Sequence, residues 1–210
     1  MFSLVKYLVY LLLTLFVFSC NTSEKKFSVD KTTQKTYNYT LDTSGIKVLW
    51  TAYKFTEKVG ISGKFDSIIY FYDKSAPSIQ ALLKSSEISI CTNSVNSYNA
   101  IRDPKLKQTF FKSFNTDTIR GKIIEVEDEK GLLALQMNSI NNLTSYSYNY
   151  KNDTLTISTH LDLTKWDGKI ALDTLNKECY DLHIGPDGIS KLWPDVAVKI
   201  KLPIKRRISL

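Results

Sequence analysis

The feature that most constrains the fold of this chain is a period-two alternation of apolar and polar side chains. In residues 153–164 (DTLTISTHLDLT), aliphatic residues and one threonine occupy one face of an extended chain, and polar residues occupy the other. Residues 196–205 (VAVKIKLPIK) repeat the alternation with an entirely aliphatic face. Because successive side chains of a strand point to opposite sides, the pattern predicts strands with one buried and one solvated face.

Six further windows have strand character and are separated by turn-forming residues: 47–55, 60–72, 87–94, 118–127, 132–140 and 145–150. Two short helices are predicted over residues 77–84 and 103–114, where a proline stands at a favourable first helical position. Eight strands with short connections predict a mainly β domain, in which an antiparallel sheet curls on itself.

The first twenty residues predict a targeting segment. Lys6 precedes an uncharged apolar stretch, residues 8–18, which has the length of a secretory signal and is short for a membrane span. The stretch ends in Val17-Phe18-Ser19-Cys20 and resembles the bacterial lipoprotein signal. The resemblance implies a signal peptide over residues 1–19 and lipid attachment at Cys20. An uncleaved N-terminal anchor helix is the alternative.

Residues 20–40 are polar and contain neither glycine nor proline. We therefore expect a lipidated flexible tether, followed by one domain over residues 41–210. The alternative for residues 35–41 is a first edge strand. Asn21 follows Cys20 where an aspartate would favour the inner membrane, so an outer-membrane location in the bacterial envelope is favoured.

The charge and the titratable residues limit the classes of function. The formal net charge is +7, but the lysines are dispersed and the export signal removes the chain from nucleic acid. His160 lies on the polar face of its strand and His183 lies in a loop, and neither belongs to a known catalytic or metal-binding motif. We expect no catalysis, no metal ion, no cofactor and no nucleic-acid partner.

Once Cys20 is assigned to lipid, two cysteines remain, Cys91 and Cys179. An even pair in an oxidising compartment is compatible with a disulfide. Two separate, partly buried thiols are the alternative.

Three stretches resemble the YceI-like family of bacterial envelope proteins. The first is Trp50-Thr51-Ala52-Tyr53-Lys54-Phe55 with the following Val59–Asp66, and the second is Ile101-Arg102-Asp103-Pro104-Lys105-Leu106 with Phe110-Phe111. The third comprises residues 155–164 and 196–204. The resemblance covers about residues 41–205. It implies an extended, lipocalin-like, eight-stranded β-barrel whose channel holds a polyisoprenoid-type lipid.

The resemblance and the strand parities together give a set of candidate channel-lining residues, since a long apolar ligand needs walls without unpaired polar groups. They are Tyr53, Phe55, Phe65, Ile69, Phe110, Phe111, Leu155, Ile157, Leu161, Val198 and Ile200. The expected partners are a hydrophobic small molecule and, through the N-terminal anchor, a membrane.

Two other interpretations of the same residues stay open. The apolar faces are equally compatible with a barrel whose interior is filled by side chains. Such a barrel would serve as a rigid support for surface loops that bind a protein or a glycan, and the polar segments 93–102 and 176–193 suit that function. An enzyme ranks third, because it requires convergent titratable groups in one pocket.

Overall fold

A computed structural model of the protein describes residues 36–208. The signal peptide, Cys20 and most of the predicted tether lie outside the described residues. Eleven strands form one curled antiparallel sheet. They are β1 Tyr37–Leu41, β2 Lys47–Lys54, β3 Val59–Phe65, β4 Ile68–Phe71, β5 Glu87–Cys91, β6 Val95–Asn96, β7 Thr118–Val126, β8 Lys130–Met137, β9 Ile140–Lys151, β10 Thr154–Asp162 and β11 Leu192–Ile208.

Three helices accompany the sheet. The first is α1, Ile79–Lys84, and the second is α2, Arg102–Lys105, which continues as a π-helical segment over Leu106–Phe111. The third, α3, spans Lys169–Glu178 and was not predicted, because the sequence around it matched no family pattern. None of the described helices is long and apolar enough to cross a membrane.

The sheet closes through two bent strands. Along the sheet the order is β4-β5-β7-β8-β9-β10-β11-β2-β3-β6. β4 continues β3, and β6 continues β5. Across the bends, Asp66 N–H donates to the Ser94 carbonyl (3.0 Å) and Cys91 N–H donates to the Ser67 carbonyl (3.1 Å). With each bent pair taken as one strand and β1 set aside, eight strands form the ring, and the predicted fold class is confirmed.

The bend between β3 and β4 reverses which side chains face inward. The sequence pattern treated residues 60–72 as one strand, which placed Ile69 on the same face as Phe65. Residues 66 and 67 lie between β3 and β4, and after them the even-numbered side chains, not the odd-numbered ones, point inward. Phe65 is buried, whereas Ile69 is 57% exposed. The assignment of Ile69 to the channel wall was therefore wrong.

The predicted tether ends earlier than expected. Tyr37–Leu41 forms β1, which pairs with the far end of β11, from Tyr37 opposite Ile208 to Leu41 opposite Ile204. Leu41 is buried at this junction. The edge strand that the sequence left open as an alternative thus occupies the last part of the segment predicted to be flexible.

Two tight hairpins fix the register of the long strands. Asn138-Ser139 joins β8 to β9 and Asn152-Asp153 joins β9 to β10, each with positive φ at both residues. This backbone conformation is that of the two-residue turns whose twist matches the strands. The two turns set the pairing of the strands that carry the central part of the core.

The two cysteines are not bridged. Cys91 ends β5 and is partly exposed, whereas Cys179 is buried at the end of α3, and both are free thiols. The disulfide interpretation was therefore wrong. Cys91 ends a strand and Cys179 follows a helix, and strand periodicity carries no information about whether these two elements become neighbours.

Candidate functional site

The barrel interior is not completely filled. A cavity of about 90 Å³ lies among inward-facing side chains of β2, β5, β7, β8, β10 and β11. Its walls are aliphatic or aromatic almost throughout. Those that the alternation of the strands places inside include Val48, Ile88, Ile123, Leu133, Leu135, Ile157, Leu161, Val198 and Ile200.

A second cavity, of about 130 Å³, continues the first and is called the throat below. Trp50, Phe65 and Val198 line both cavities. On the other side, the π-helical segment after α2 supplies the rings of Phe110 and Phe111, and Phe114 follows that segment. The centroids of Phe110 and Phe111 are 5.1 Å apart, and those of Phe110 and Phe114 are 5.5 Å apart. Extra-residue helical turns of this kind occur frequently at functional sites.

The throat opens into a wider cavity of about 350 Å³, called the mouth below. Trp50, Ala52 and Leu106 line both the throat and the mouth. Three cationic side chains, Lys54, Arg102 and Lys105, also line the mouth, together with His183 and Cys179. The arrangement is a row of three adjoining cavities, in which the interior cavity and the throat are apolar and the mouth also carries three cationic side chains.

The predicted channel residues divide into three groups. Phe65, Ile157, Leu161, Val198 and Ile200 line the interior cavity, and Tyr53, Phe110 and Phe111 line the throat. Leu155 is fully buried in the packed core. Phe55 and Ile69 line none of the three cavities. Phe55 lies in the turn after β2 with φ of 64°, and its carbonyl accepts a hydrogen bond from Trp193 Nε1 (2.7 Å).

Sequence reasoning missed Trp50, which lines all three cavities. The indole lies over Gly63 on the neighbouring strand, where a Cβ atom would fall 2.3 Å from the ring. Val48, Trp50 and Ala52 share one strand parity, and the candidates Tyr53 and Phe55 share the other. Val48 is only 1% exposed, so the face of β2 that carries Val48, Trp50 and Ala52 points into the barrel. The alternation of side chains in β2 is evident in the sequence, but it does not show which of the two faces points into the barrel.

The Arg102-Asp103 pair, which carried the most specific part of the resemblance, organises the loop at the mouth. Asp103 Oδ1 accepts hydrogen bonds from the backbone N–H (2.8 Å) and the hydroxyl (2.5 Å) of Ser97. Arg102 Nε donates to Ser97 Oγ (2.8 Å), and Nη2 donates to the Ser97 carbonyl (2.8 Å). Ser97 is 2% exposed, so the pair satisfies polar groups that burial would otherwise leave unpaired.

Two tyrosine hydroxyls lie deep in the barrel. Burial raises the pKa of Tyr70, on β4, to about 12, and burial likewise raises that of Tyr146, on β9, to about 12. In the described part of the chain, every buried side-chain nitrogen or oxygen has a hydrogen-bond partner. The walls therefore present no unmet polar group to an apolar ligand.

The Tyr70 pKa predicts an alkaline loss of stability. The Tyr70 pKa is raised from 10.0 in the unfolded chain to about 12 in the folded one. The contribution of the neutral Tyr70 hydroxyl to the free energy of unfolding is therefore complete below pH 10 and is lost as the pH rises through 12. The expected loss is about 3 kcal/mol, since one pKa unit corresponds to about 1.4 kcal/mol. Urea unfolding between pH 9 and pH 12 measures it. Tyr70→Phe should remove this part of the alkaline loss and leave the part that comes from Tyr146, whose pKa burial also raises to about 12. An unchanged profile would contradict the assignment.

The two histidines lie in different surroundings. His160 is exposed on the outer face of β10. His183 lies at the mouth with Nδ1 2.9 Å from Asn176 Oδ1, and burial lowers its pKa to about 4. Within residues 36–208, no cluster of three potential metal ligands is present.

Comparison with known proteins identifies the fold. A polyisoprenoid binding domain from Saccharophagus degradans, implicated in plant cell wall breakdown, aligns with 84% of this chain and 100% of its own, with a TM-score of 0.54 and 13% identity. BcnA of Burkholderia cenocepacia aligns with 79% of this chain and 99% of its own, with a TM-score of 0.52 and 11% identity. No family model matches the sequence, and no curated protein matches it.

These two structures have the same fold as the described domain. The fold that the resemblance to the YceI-like family implied is therefore confirmed, and the resemblance itself is supported at the level of the fold.

Proposed function

We propose that the protein binds an elongated hydrophobic molecule in the tunnel formed by the interior cavity, the throat and the mouth. A polyisoprenoid or an isoprenoid quinone is the ligand class in best accord with the resemblance. The protein sequesters or carries this molecule without changing it chemically. The observation that supports the proposal most directly is a row of three adjoining cavities that share lining residues, whose inner walls are apolar and whose buried polar atoms are paired.

The cavity volumes indicate how the ligand lies. An apolar cavity of about 150 Å³ admits a benzene-sized molecule. The interior cavity of about 90 Å³ and the throat of about 130 Å³ thus accommodate the end of a chain and not a long coil. We propose that one end of the ligand enters them and the remainder occupies the mouth. Each buried CH₂ group contributes about 0.8 kcal/mol, so affinity rises with the buried length.

The cellular part of the proposal depends on the N-terminal segment. Acylation at Cys20 would hold the domain on the bacterial envelope, with the outer membrane favoured by Asn21. The polar segment between Cys20 and β1 would give the domain room to move relative to the lipid. Globomycin treatment of cells that express the full chain should cause the uncleaved precursor to accumulate. Unchanged processing would contradict the lipoprotein assignment.

Native mass spectrometry of the full chain, purified from membranes under mild conditions, tests ligand binding. We expect a bound species heavier than the protein by the mass of a hydrophobic molecule, and organic extraction should identify the molecule as an isoprenoid. A protein that carries no lipid and takes up none from added farnesol, geranylgeraniol or ubiquinone would overturn the proposal. It would favour the alternative in which the loops bind a protein or a glycan.

A further inference from the structure

The charged side chains that line the mouth are all cationic. Lys105 is compensated, because its Nζ lies 3.2 Å from Glu178 Oε1. Within residues 36–208, neither Lys54 nor Arg102 takes part in an ion pair. His183 adds no charge near neutral pH, since burial lowers its pKa to about 4. In this part of the chain, Lys54 and Arg102 therefore face the mouth without a direct ion pair, and Arg102 is linked to the Asp103 carboxylate through the Ser97 hydroxyl.

Both cations are held in place by neutral groups. Lys54 Nζ donates to the Leu182 carbonyl (2.8 Å), which leaves two of its three N–H donors for another acceptor. Arg102 uses Nε and Nη2 on Ser97, and further guanidinium N–H groups remain. Burial lowers the pKa of Lys54, and the charge of Arg102 lowers it further. Keeping these like charges together is unfavourable until an anion lies between them.

The opposite end of the tunnel lacks this property. There Glu87 and Lys122 line the interior cavity and form an ion pair, with Oε1 and Nζ 2.6 Å apart. The two ends thus differ in charge: Glu87 and Lys122 beside the interior cavity are paired, whereas within the described residues Lys54 and Arg102 at the mouth form no direct ion pair. A molecule that complements it has an apolar tail and a negatively charged head.

We propose that the mouth binds the anionic head group of a single-chain amphiphile, a carboxylate or a phosphate monoester, whose tail lies in the throat and interior cavity. Lys54 contacts the head group directly, and Arg102 shares it from the opposite loop. The proposal rests on the proposed lipid-binding function and adds to it the chemistry of the ligand's polar end.

Binding of three probes with the same tail tests the proposal: dodecanoic acid, dodecyl phosphate and dodecanol. Affinities are measured by isothermal titration on the full chain kept soluble in amphipol at low ionic strength. We expect the acid, the phosphate or both to bind at least about tenfold more tightly than the alcohol, because charge-assisted hydrogen bonds are the stronger class. Which anion binds better distinguishes the two head groups.

Lys54→Gln is the diagnostic variant, because glutamine keeps a donor for the Leu182 carbonyl and removes the charge. It should reduce the preference for the two anions over dodecanol toward unity. Lys199→Gln is the matched control, since Lys199 is exposed on β11, and it should keep the preference. Equal binding of all three probes would overturn this proposal and leave lipid binding intact. Failure of all three to bind would overturn this proposal, and the binding of farnesol, geranylgeraniol or ubiquinone then decides separately whether the proposed function stands.

Discussion

Replacing Ala52 with phenylalanine should abolish lipid binding while the domain stays folded. Ala52 lines the junction of the throat and the mouth, and its small side chain leaves the passage open. The added phenyl ring is about the size of benzene, which an apolar cavity of about 150 Å³ admits. It should therefore fill the throat, whose volume is about 130 Å³. Overpacking at this position should cost about 1–3 kcal/mol of folding stability.

Native mass spectrometry and titration with farnesol measure the effect of Ala52→Phe, which we expect to exceed a hundredfold loss of affinity. Ala197→Phe is the matched control. Ala197 lies on the adjacent strand β11, where it pairs with Thr51 and with the exposed His160 on the outer face. The control should bind lipid as the parent chain does. Normal binding by Ala52→Phe would show that the ligand does not pass through the throat.

Trp166→Ala should be among the most destabilising single substitutions in the domain. Trp166 is fully buried in the 3₁₀ turn that follows β10, where it packs in the main core. Its Nε1–H donates to the Leu135 carbonyl (2.9 Å), and its own carbonyl accepts from Asn138 Nδ2 (3.0 Å). Removal of so large a buried side chain costs about 3–5 kcal/mol. In a domain of this size the melting temperature should fall by about 10 °C.

Trp166→Phe separates packing from hydrogen bonding. It keeps most of the aromatic volume but leaves the Leu135 carbonyl without its donor, which should cost about 1–3 kcal/mol. Thermal and urea unfolding of both variants measure the difference. A loss of less than 1 kcal/mol for Trp166→Ala would contradict the placement of the indole in the core.

Much of the architecture could be predicted from local pattern. The alternation in residues 153–164 and 196–205 identified β10 and β11, and the structure pairs them from Thr154 opposite Pro203 to Asp162 opposite Asp195. The Asp-Pro step indicated the helix that carries Phe110 and Phe111, although this helix begins at Arg102 and Asp103 lies in its first turn. These predictions succeeded because the period of side-chain direction is a property of the backbone alone.

The failures share a different physical origin. Ile69 was misplaced because a two-residue bend resets strand parity, and hydrophobicity alone does not reveal a bend when the residues on both sides are apolar. Trp50 was not predicted to line the cavities because the sequence does not show which face of β2 points into the barrel interior. The separation of Cys91 and Cys179 depends on which elements become neighbours, and a count of cysteines contains no such information.

The sequence by itself determined that this chain forms amphipathic antiparallel strands, a short aromatic helix and a curled sheet, because these follow from side-chain periodicity and from residues that start helices and turns. Only the tertiary structure decided that the interior keeps a narrow apolar tunnel and that Lys54 and Arg102 meet at its mouth. Cavity size depends on how side chains from eight strands pack together, and the convergence of Lys54 and Arg102 depends on β2 and α2, which are far apart in the chain. Neither quantity is encoded in any local pattern.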